Sequence, residues 1–289
     1  MSIIVGQESK VVVQGITGRN ASVHTRFMLD YGTHVVGGVT PGKGGEEVHG
    51  VQVYDTMREC VDNHPDANVS SVWVPPRFAK DAILEAIDAG MKTIIVITER
   101  IPIHDMLEVR EEAQEKGVVV IGGNTPGVIS PGKCLVGMLP RIVFHEGRVG
   151  TVARSGAITY YIANSLTLAG LGESTSVGLG GDPVLGSNFE TILKLFEEDS
   201  ETDAVVLAGE IGGVYEELAA PFVSQMSKPV VAFIAGVVAP QGKRLGHAGA
   251  IIEGDMGTAE SKITALKRAG ASLAETLSEI PDLIRKRLQ

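Results

Sequence analysis

Cysteine is scarce in this sequence: Cys60 and Cys134 are the two among 289 residues. They lie too far apart for the spacing of a zinc site, and two are too few for a disulfide framework, so neither scaffold is expected. No apolar run approaches the length of about 20 residues that a membrane-spanning helix needs, and the first residues do not match a signal peptide. We therefore expect a cytoplasmic protein with no membrane attachment.

A block of basic residues is also missing. The chain has 25 Lys and Arg against 35 Asp and Glu, which gives a formal net charge of −10 at pH 7. An acidic chain without a basic stripe is not expected to bind nucleic acid or an anionic membrane, although local basic pockets for phosphate are compatible with this charge. The content of 44% hydrophobic and 21% charged residues is typical of a globular enzyme and excludes a disordered chain.

Short apolar runs alternate with amphipathic stretches along the chain. Buried strands that alternate with helices indicate an α/β fold with parallel, doubly wound sheets. The length favours two domains, which we place at residues 1–145 and 146–289, with the turn-rich stretch 124–147 interpreted as a connection. The predicted strands are 10–14, 34–39, 70–74, 93–98, 118–121, 148–153, 175–179, 204–208 and 229–234. The predicted helices are 19–31, 79–89, one that starts near residue 160, one that begins at Ser187 with a capping box to Glu190, 259–269, and one near Pro281.

The segment QGITGRNA, residues 14–21, lies where the first strand meets the first helix. Free N–H groups and the helix dipole attract an anion at such a position, but Thr17 replaces the middle glycine of the dinucleotide fingerprint. The next strand ends in a glycine-rich loop that carries Lys43 and has no carboxylate until Glu46. A cation there suits a ribose that bears phosphate, in a phosphorylated dinucleotide or in coenzyme A; a solvated lysine on a turn is the alternative. The segment VITE, residues 96–99, ends a later strand at the same edge of the sheet.

Polar glycine-rich loops also follow the strands of the second half. Arg154 precedes the helix that opens with Ser155 and Gly156, and it could bind a carboxylate or phosphate there; a structural arginine at a capped helix start is the alternative. Glu210, in GEIGG, ends another strand and could orient a histidine through the ring N–H, although a glutamate is also common at a helix start.

His247 lies in GKRLGHAGA, residues 242–250, with glycines around it and two basic residues just before it. A lone histidine usually has no catalytic role, but these small neighbours leave the ring open to a substrate or a phosphate. No serine, cysteine or metal-binding cluster accompanies it, so an acyl-transfer triad is not supported. Proton transfer and phosphorylation of the ring itself are the two remaining functional interpretations, and phosphorylation needs anion-binding backbone around the ring.

Eight segments together resemble one family. They are GITG, GGVTPGKGG, ITE, NTPGVISPG, RSGAITYY, GLGGDPVLGSNF, GEIGG and PVVAFIAGVVAPQGKRLGHAGAII. The set is similar to the α subunit of succinyl-CoA synthetase, also called succinate–CoA ligase, and the resemblance covers the whole chain. It implies an N-terminal Rossmann-like CoA-binding domain and a C-terminal flavodoxin-like ligase domain, both with mainly parallel sheets.

The resemblance also implies site residues by position. His247 matches the phosphorylated histidine of the family, and Glu210 matches the glutamate that contacts it. Tyr160, with Ser155 and Gly156, matches the site of the carboxylic acid substrate. The CoA-binding segments are matched by Thr17, Gly18, Arg19, Asn20, Lys43, Ile97, Thr98 and Glu99. No metal site is expected on this chain.

The implied reaction couples cleavage of succinyl-CoA, or of a related dicarboxylyl-CoA, to phosphorylation of a nucleoside diphosphate through an acyl phosphate and a phosphohistidine. The nucleotide, ADP/ATP or GDP/GTP with Mg²⁺, is expected on a partner β subunit with an ATP-grasp domain, in a heterodimer or heterotetramer. The lack of any P-loop in this sequence agrees with that division of labour.

Some positions depart from the family pattern. Gly123 and Thr125 stand where proline and cysteine are usual, residues 19–21 differ from the usual CoA loop, and RSGAITYY lacks two hydroxyls near the carboxylate pocket. A malate–CoA ligase or another NDP-forming acyl-CoA synthetase is therefore an alternative to the succinate enzyme. Two other classes also stay open: an NADP-dependent oxidoreductase, against which the missing middle glycine argues, and a non-catalytic CoA-binding regulator.

Overall fold

The structure is a computed structural model that describes residues 2–237, 247 and 257–289. Its strands form two mixed, mainly parallel sheets, one after the other along the chain. This confirms the predicted fold class. Within the described residues, no helix is both long and apolar enough to cross a bilayer.

The first sheet is formed by the first half of the chain. Its strands are β1 Lys10–Gln14, β2 His34–Val39, β3 Glu47–Val48, β4 Val51–Tyr54, β5 Val69–Val72, β6 Thr93–Val96 and β7 Val119–Gly122. They lie in the order β3-β4-β2-β1-β5-β6-β7, and all neighbours are parallel except β3 and β4. The strand order therefore reverses between β1 and β5, and a crevice opens outside the carboxyl ends of strands at such a reversal.

Four helices pack on this sheet. They are α1 Arg19–Tyr31, α2 Met57–Asn63, α3 Pro76–Asp88 and α4 Ile103–Lys116. The bounds of α1 agree with the prediction because its end is explicit in the sequence: Gly32 adopts the left-handed conformation, with φ of 96°, and its N–H caps the last turn. The helices α2 and α4 were not predicted.

The second sheet repeats this construction. Its strands are β8 Gly127–Ser130, β9 Cys134–Gly137, β10 Glu146–Ala153, β11 Glu173–Gly178, β12 Ala204–Glu210, β13 Val230–Ala235 and β14 Ser272–Leu273, in the order β14-β13-β12-β10-β11-β8-β9. All neighbours are parallel except β8, which runs antiparallel to β9 and β11. The order reverses between β10 and β12, so their carboxyl ends form a second crevice.

Among the described residues of this half, the helices are α5 Gly156–Leu168, α6 Phe189–Glu198, α7 Tyr215–Val223, α8 Ala259–Arg268 and α9 Ile280–Leu288. The predicted apolar face of α6 is confirmed, because Phe189, Ile192, Leu193 and Phe196 are all fully buried. Its predicted start was wrong by one residue: Asn188 is the cap, and its side chain accepts the N–H of Thr191 at 2.9 Å.

The stretch 124–147 is not the simple connection that its prolines and glycines suggested. It contains the hairpin of β8 and β9, which joins the second sheet through β11. Thr33 of the first half donates its hydroxyl to the carbonyl of Leu135 in this hairpin at 2.8 Å. The division of the chain at residues 145 and 146 stays a prediction, and the hairpin before it pairs with the second sheet.

Candidate active site

A cavity of about 980 Å³ opens at the crevice of the first sheet, a size typical of cofactor and small-molecule sites. Gly15 lines this cavity with φ of 81°, and a Cβ there would lie 3.3 Å from the backbone carbon of Trp73, so this turn requires glycine. Four predicted CoA-binding residues line the cavity at the start of α1: Thr17, Gly18, Arg19 and Asn20. The free N–H groups at the start of this helix are suited to bind an anion such as a phosphate.

A second group of lining residues was not predicted. Trp73 and Phe78 supply its apolar surface, and Asp81 and Glu85 supply carboxyl groups from α3. A signal was present in the sequence, since Trp73 is the one tryptophan of the chain and is followed within two residues by a pair of prolines. Such a residue at the end of a buried strand is suited to cover a ligand.

The other predicted CoA-binding residues do not line this cavity. Lys43 lies outside it, where its Nζ pairs with Glu46 at 2.8 Å and both side chains are half exposed. Ile97 and Glu99 follow β6 without reaching the cavity wall, and the hydroxyl of Thr98 donates to the carbonyl of Val74 at 2.7 Å. Thr98 thus contacts the backbone of Val74, a residue that lines the cavity.

His247 and Glu210 are in direct contact in the second half. The Nδ1 atom of His247 lies 2.8 and 2.9 Å from the two carboxylate oxygens of Glu210. Glu210 is the last residue of β12, at the second crevice, and its side chain is 11% exposed against 27% for the histidine. The segment 239–251, apart from His247, lies outside the described residues.

Glu210 is held from behind by a buried charged pair. Its backbone N–H donates to Oε1 of Glu216 at 3.1 Å, and the other oxygen of Glu216 accepts from Nζ of Lys262. Glu216 and Lys262 are both fully buried. Burial raises the pKa of Glu216, and the positive charges of Lys262 and Arg154 oppose that rise. Neither residue of this pair was predicted, because each lies on a helix where charged residues usually face solvent.

The predicted carboxylic acid site lies at the start of α5. Ser155 is the N-terminal residue before this helix, and its side chain makes no capping hydrogen bond. A Cβ on Gly156 would lie 3.4 Å from the hydroxyl oxygen of Tyr160 and 3.3 Å from Pro126, so these predicted residues lie together. Tyr160 is half-buried, and burial raises the pKa of its phenol.

The two cysteines are disfavoured as nucleophiles. Cys60 and Cys134 are free and buried, and burial raises their thiol pKa values to about 12 and about 11 respectively. Thiols in that state are poor nucleophiles. In the described ranges, no cluster of three or more His, Cys, Asp or Glu side chains could hold a metal ion.

The geometry around His247 suits a nucleophilic imidazole. A carboxylate on Nδ1 favours the tautomer with the proton on that nitrogen, which leaves the lone pair of Nε2 available. An electrophile that bonded to Nε2 would place positive charge on the ring, and Glu210 would neutralise it. This pairing was predicted, and the structure brings the two residues together.

Two family models match the two halves of the chain. Residues 6–100 match the CoA binding domain, and residues 152–272 match the CoA-ligase domain. The fold and its two crevices therefore define a two-domain chain of the CoA-ligase class.

Named relatives identify the family within this class. Subunit alpha 2 of the ADP-forming succinate–CoA ligase from Archaeoglobus fulgidus is 57% identical over 284 residues, which cover 98% of this chain and 99% of the relative. The α subunit from Staphylococcus epidermidis is 52% identical over 281 residues, which cover 97% of this chain and 93% of the relative. The chain belongs to the family of succinate–CoA ligase α subunits.

The fold is also shared with solved structures of lower identity. An ATP citrate lyase from Methanosaeta concilii in complex with (3S)-citryl-CoA superimposes with a TM-score of 0.91 at 22% identity, over 99% of this chain and 50% of that chain. An acetyl-coenzyme A synthetase from Ca. Korarchaeum cryptofilum gives 0.73 at 20% identity, over 95% of this chain and 59% of that chain. The matched region thus spans 50% of the first structure and 59% of the second, and at these identities the likeness is one of fold.

Proposed function

We propose that this chain is the α subunit of an ADP-forming succinate–CoA ligase and that His247 carries the phosphoryl group between its two half-reactions. The observation that carries the proposal is the contact of His247 Nδ1 with both oxygens of Glu210, at a sheet crevice in a chain with a CoA binding domain. The names of the relatives support succinate and ADP as the substrates.

The chemistry divides one difficult transfer into three steps. Phosphate attacks the thioester carbonyl of succinyl-CoA, the C–S bond breaks, and succinyl phosphate and CoA thiol form. Nε2 of His247 then attacks the phosphorus, the bond from phosphorus to the acyl oxygen breaks, and succinate leaves as its carboxylate. The phosphoryl group finally passes from Nε2 to ADP. A covalent intermediate makes each step easier than direct transfer would be, and Glu210 stabilises the positive ring while it is phosphorylated.

We place the anionic groups of CoA on the α1 side of the 980 Å³ cavity. Arg19 and the start of α1 supply positive charge there, whereas Asp81 and Glu85 on α3 would repel phosphate. Trp73 and Phe78 are suited to cover apolar parts of the ligand. Lys43 is also proposed to contact CoA, although in this structure it pairs with Glu46.

Arg19→Met should weaken CoA binding to this chain by about tenfold, which corresponds to loss of one charge-assisted hydrogen bond. Arg26→Met is the matched control, because Arg26 lies on the same helix and pairs with Asp30 on the surface at 3.0 Å. Isothermal titration with CoA measures both variants. Equal affinities for the two variants would remove Arg19 from the proposed site.

We further propose a partner β subunit with an ATP-grasp domain, which would hold ADP and Mg²⁺, in a heterodimer or heterotetramer. The α-subunit name of the relatives supports a partner. A cytoplasmic location is proposed as well, in keeping with two free, buried cysteines.

The function is tested by thioester synthesis in the complex of this chain with its β subunit. Succinate, malate, citrate and acetate are supplied singly with CoA and either ATP or GTP, and each acyl-CoA is quantified by chromatography. We expect succinyl-CoA with ATP as the main product. If malyl-CoA is the main product, the substrate is malate and not succinate. If no acid gives a thioester, the proposal is overturned.

A further inference from the structure

Arg154 is one of the largest fully buried side chains, with 1% of its surface exposed. It follows directly after β10, and its backbone N–H donates to the carbonyl of Ala208 in β12 at 3.1 Å. This places it between the two strands whose carboxyl ends form the second crevice. A buried guanidinium is costly unless several acceptors surround it, so its neighbours indicate what it does.

One set of neighbours is the loop after β11. Nε of Arg154 donates to the carbonyl of Gly180 at 3.3 Å, and Nη2 donates to the carbonyl of Asp182 at 3.2 Å. The residue between them, Gly181, packs directly on the ring of His247: a Cβ there would lie 2.6 Å from Cγ and Cδ2 of the imidazole. Arg154 therefore fixes the backbone on both sides of the residue that supports the ring.

The other neighbour is the carboxylate that holds the ring. Nε of Arg154 lies 3.6 Å from Oε1 of Glu210, and Glu210 contacts Nδ1 of His247. Arg154 therefore acts on the imidazole in two ways. It fixes the loop whose Gly181 packs on the ring, and its charge lies next to the Glu210 carboxylate that contacts Nδ1. The ring of Tyr215, whose centroid lies 5.4 Å from Cζ, covers the guanidinium.

We propose that Arg154 is a positioning residue for His247, which fixes the ring by bridging Glu210 and the 180–182 loop. The inference rests on the proposed function, in which His247 is phosphorylated. It favours the structural interpretation of this arginine over binding of a substrate anion, because Nε and Nη2 are both engaged by backbone carbonyls; Nη1 is buried without a hydrogen-bond partner among the described residues. A guanidinium suits this position, because its planar group can donate to two separate carbonyls while its charge faces a carboxylate. A lysine supplies the charge but lacks the planar set of N–H donors that can bind two carbonyls at once.

The test compares Arg154→Met and Arg154→Lys in the complex with the β subunit. The rate at which γ-³²P-labelled ATP phosphorylates His247 is measured by rapid quench, together with the KM for CoA. We expect Arg154→Met to slow phosphorylation by about 100-fold, the upper end of the range found when residues that orient the histidine or carboxylate ligands of a metal are removed. Arg154→Lys should recover about tenfold of that loss, and the KM for CoA should stay unchanged in both variants.

Arg148→Met is the control, because Arg148 lies on β10, the strand that Arg154 directly follows, but forms an exposed pair with Asp203. Phosphorylation of Arg154→Met at the wild-type rate would overturn the inference. If that variant does not fold, Arg154→Lys decides alone: about a tenfold slower rate supports the inference, and a wild-type rate overturns it.

A wild-type complex that makes thioester but carries no label on His247 would overturn the proposed function instead. Arg154 is then judged on the chain without its partner, by the ¹⁵N spectrum of His247. A Nδ1–H signal that is unchanged in Arg154→Lys would overturn the positioning role separately, and a shifted signal would support it.

Discussion

His247→Asn should reduce thioester synthesis by the α/β complex by about 10⁴-fold or more, the size of loss expected when a covalent nucleophile is removed. Asparagine keeps a polar side chain next to Glu210 but has no nitrogen that can carry a phosphoryl group. The affinity for CoA should stay unchanged, because the proposed CoA cavity is formed by residues 14–85 of the first half. Coupled assays of thioester formation and titration with CoA measure the two quantities.

His34→Asn is the control for this substitution. His34 is exposed on the first half, and its Nδ1 lies 3.3 Å from Nζ of Lys10. It should retain wild-type turnover. A His247→Asn complex that kept more than a few per cent of wild-type turnover would show that phosphoryl transfer does not pass through this ring.

Lys262→Met should lower the free energy of unfolding by about 3–5 kcal/mol, the range found when one partner of a buried ion pair is removed. Lys262 is fully buried, and its Nζ donates to Glu216, to Glu217 at 3.1 Å and to the carbonyl of Gly213 at 3.0 Å. Without it, the buried carboxylate of Glu216 loses its closest cation. Urea unfolding followed by circular dichroism measures the change.

This loss should depend on pH in a defined direction. Burial already raises the pKa of Glu216, and Lys262 opposes that rise, so the variant has a folded-state pKa that lies further above the unfolded value. A group with a raised pKa in the folded state removes stability as the pH increases. The deficit of Lys262→Met should therefore be larger at pH 8 than at pH 5.5.

Two further variants complete the test. Lys194→Met breaks an exposed pair with Glu190 on α6, and it should cost less than about 1 kcal/mol. The double variant Lys262→Met with Glu216→Gln should recover much of the stability, because no uncompensated charge remains buried. Equal losses for Lys194→Met and Lys262→Met would contradict the account of the buried pair.

The sequence predicts the elements whose ends are marked by local chemistry. The predicted bounds of α1 agree with the structure, and its end is recognisable because Gly32 follows it in a conformation that favours glycine. The hairpin of β8 and β9 was missed because its glycines and prolines are also typical of loops, and only its pairing with β11 makes it a strand pair. That pairing is set by tertiary contacts, which single-sequence patterns do not contain.

The site residues also divide into those that local sequence marks and those that depend on tertiary contacts. The segment 14–21 was predicted as an anion site because a helix start after a strand is recognisable in sequence; the family resemblance named Thr17 to Asn20 within it, and these residues line the cavity. The contact of Glu210 with His247 was expected from the family resemblance, and the structure brings these residues together across 37 positions of the chain. Lys262 and Gly181 were missed, because their roles depend on burial and on close approach in three dimensions.

The phosphoryl group is proposed to pass through Nε2 of His247, and the most direct test is to locate that group on the protein. The α/β complex is treated with γ-³²P-labelled ATP and digested at alkaline pH, and the label is placed by mass spectrometry and ³¹P NMR. We expect an acid-labile, base-stable phosphate on Nε2 of His247, which CoA and succinate together remove. An active complex whose label lies on another residue, or on Nδ1 of His247, would contradict this proposal.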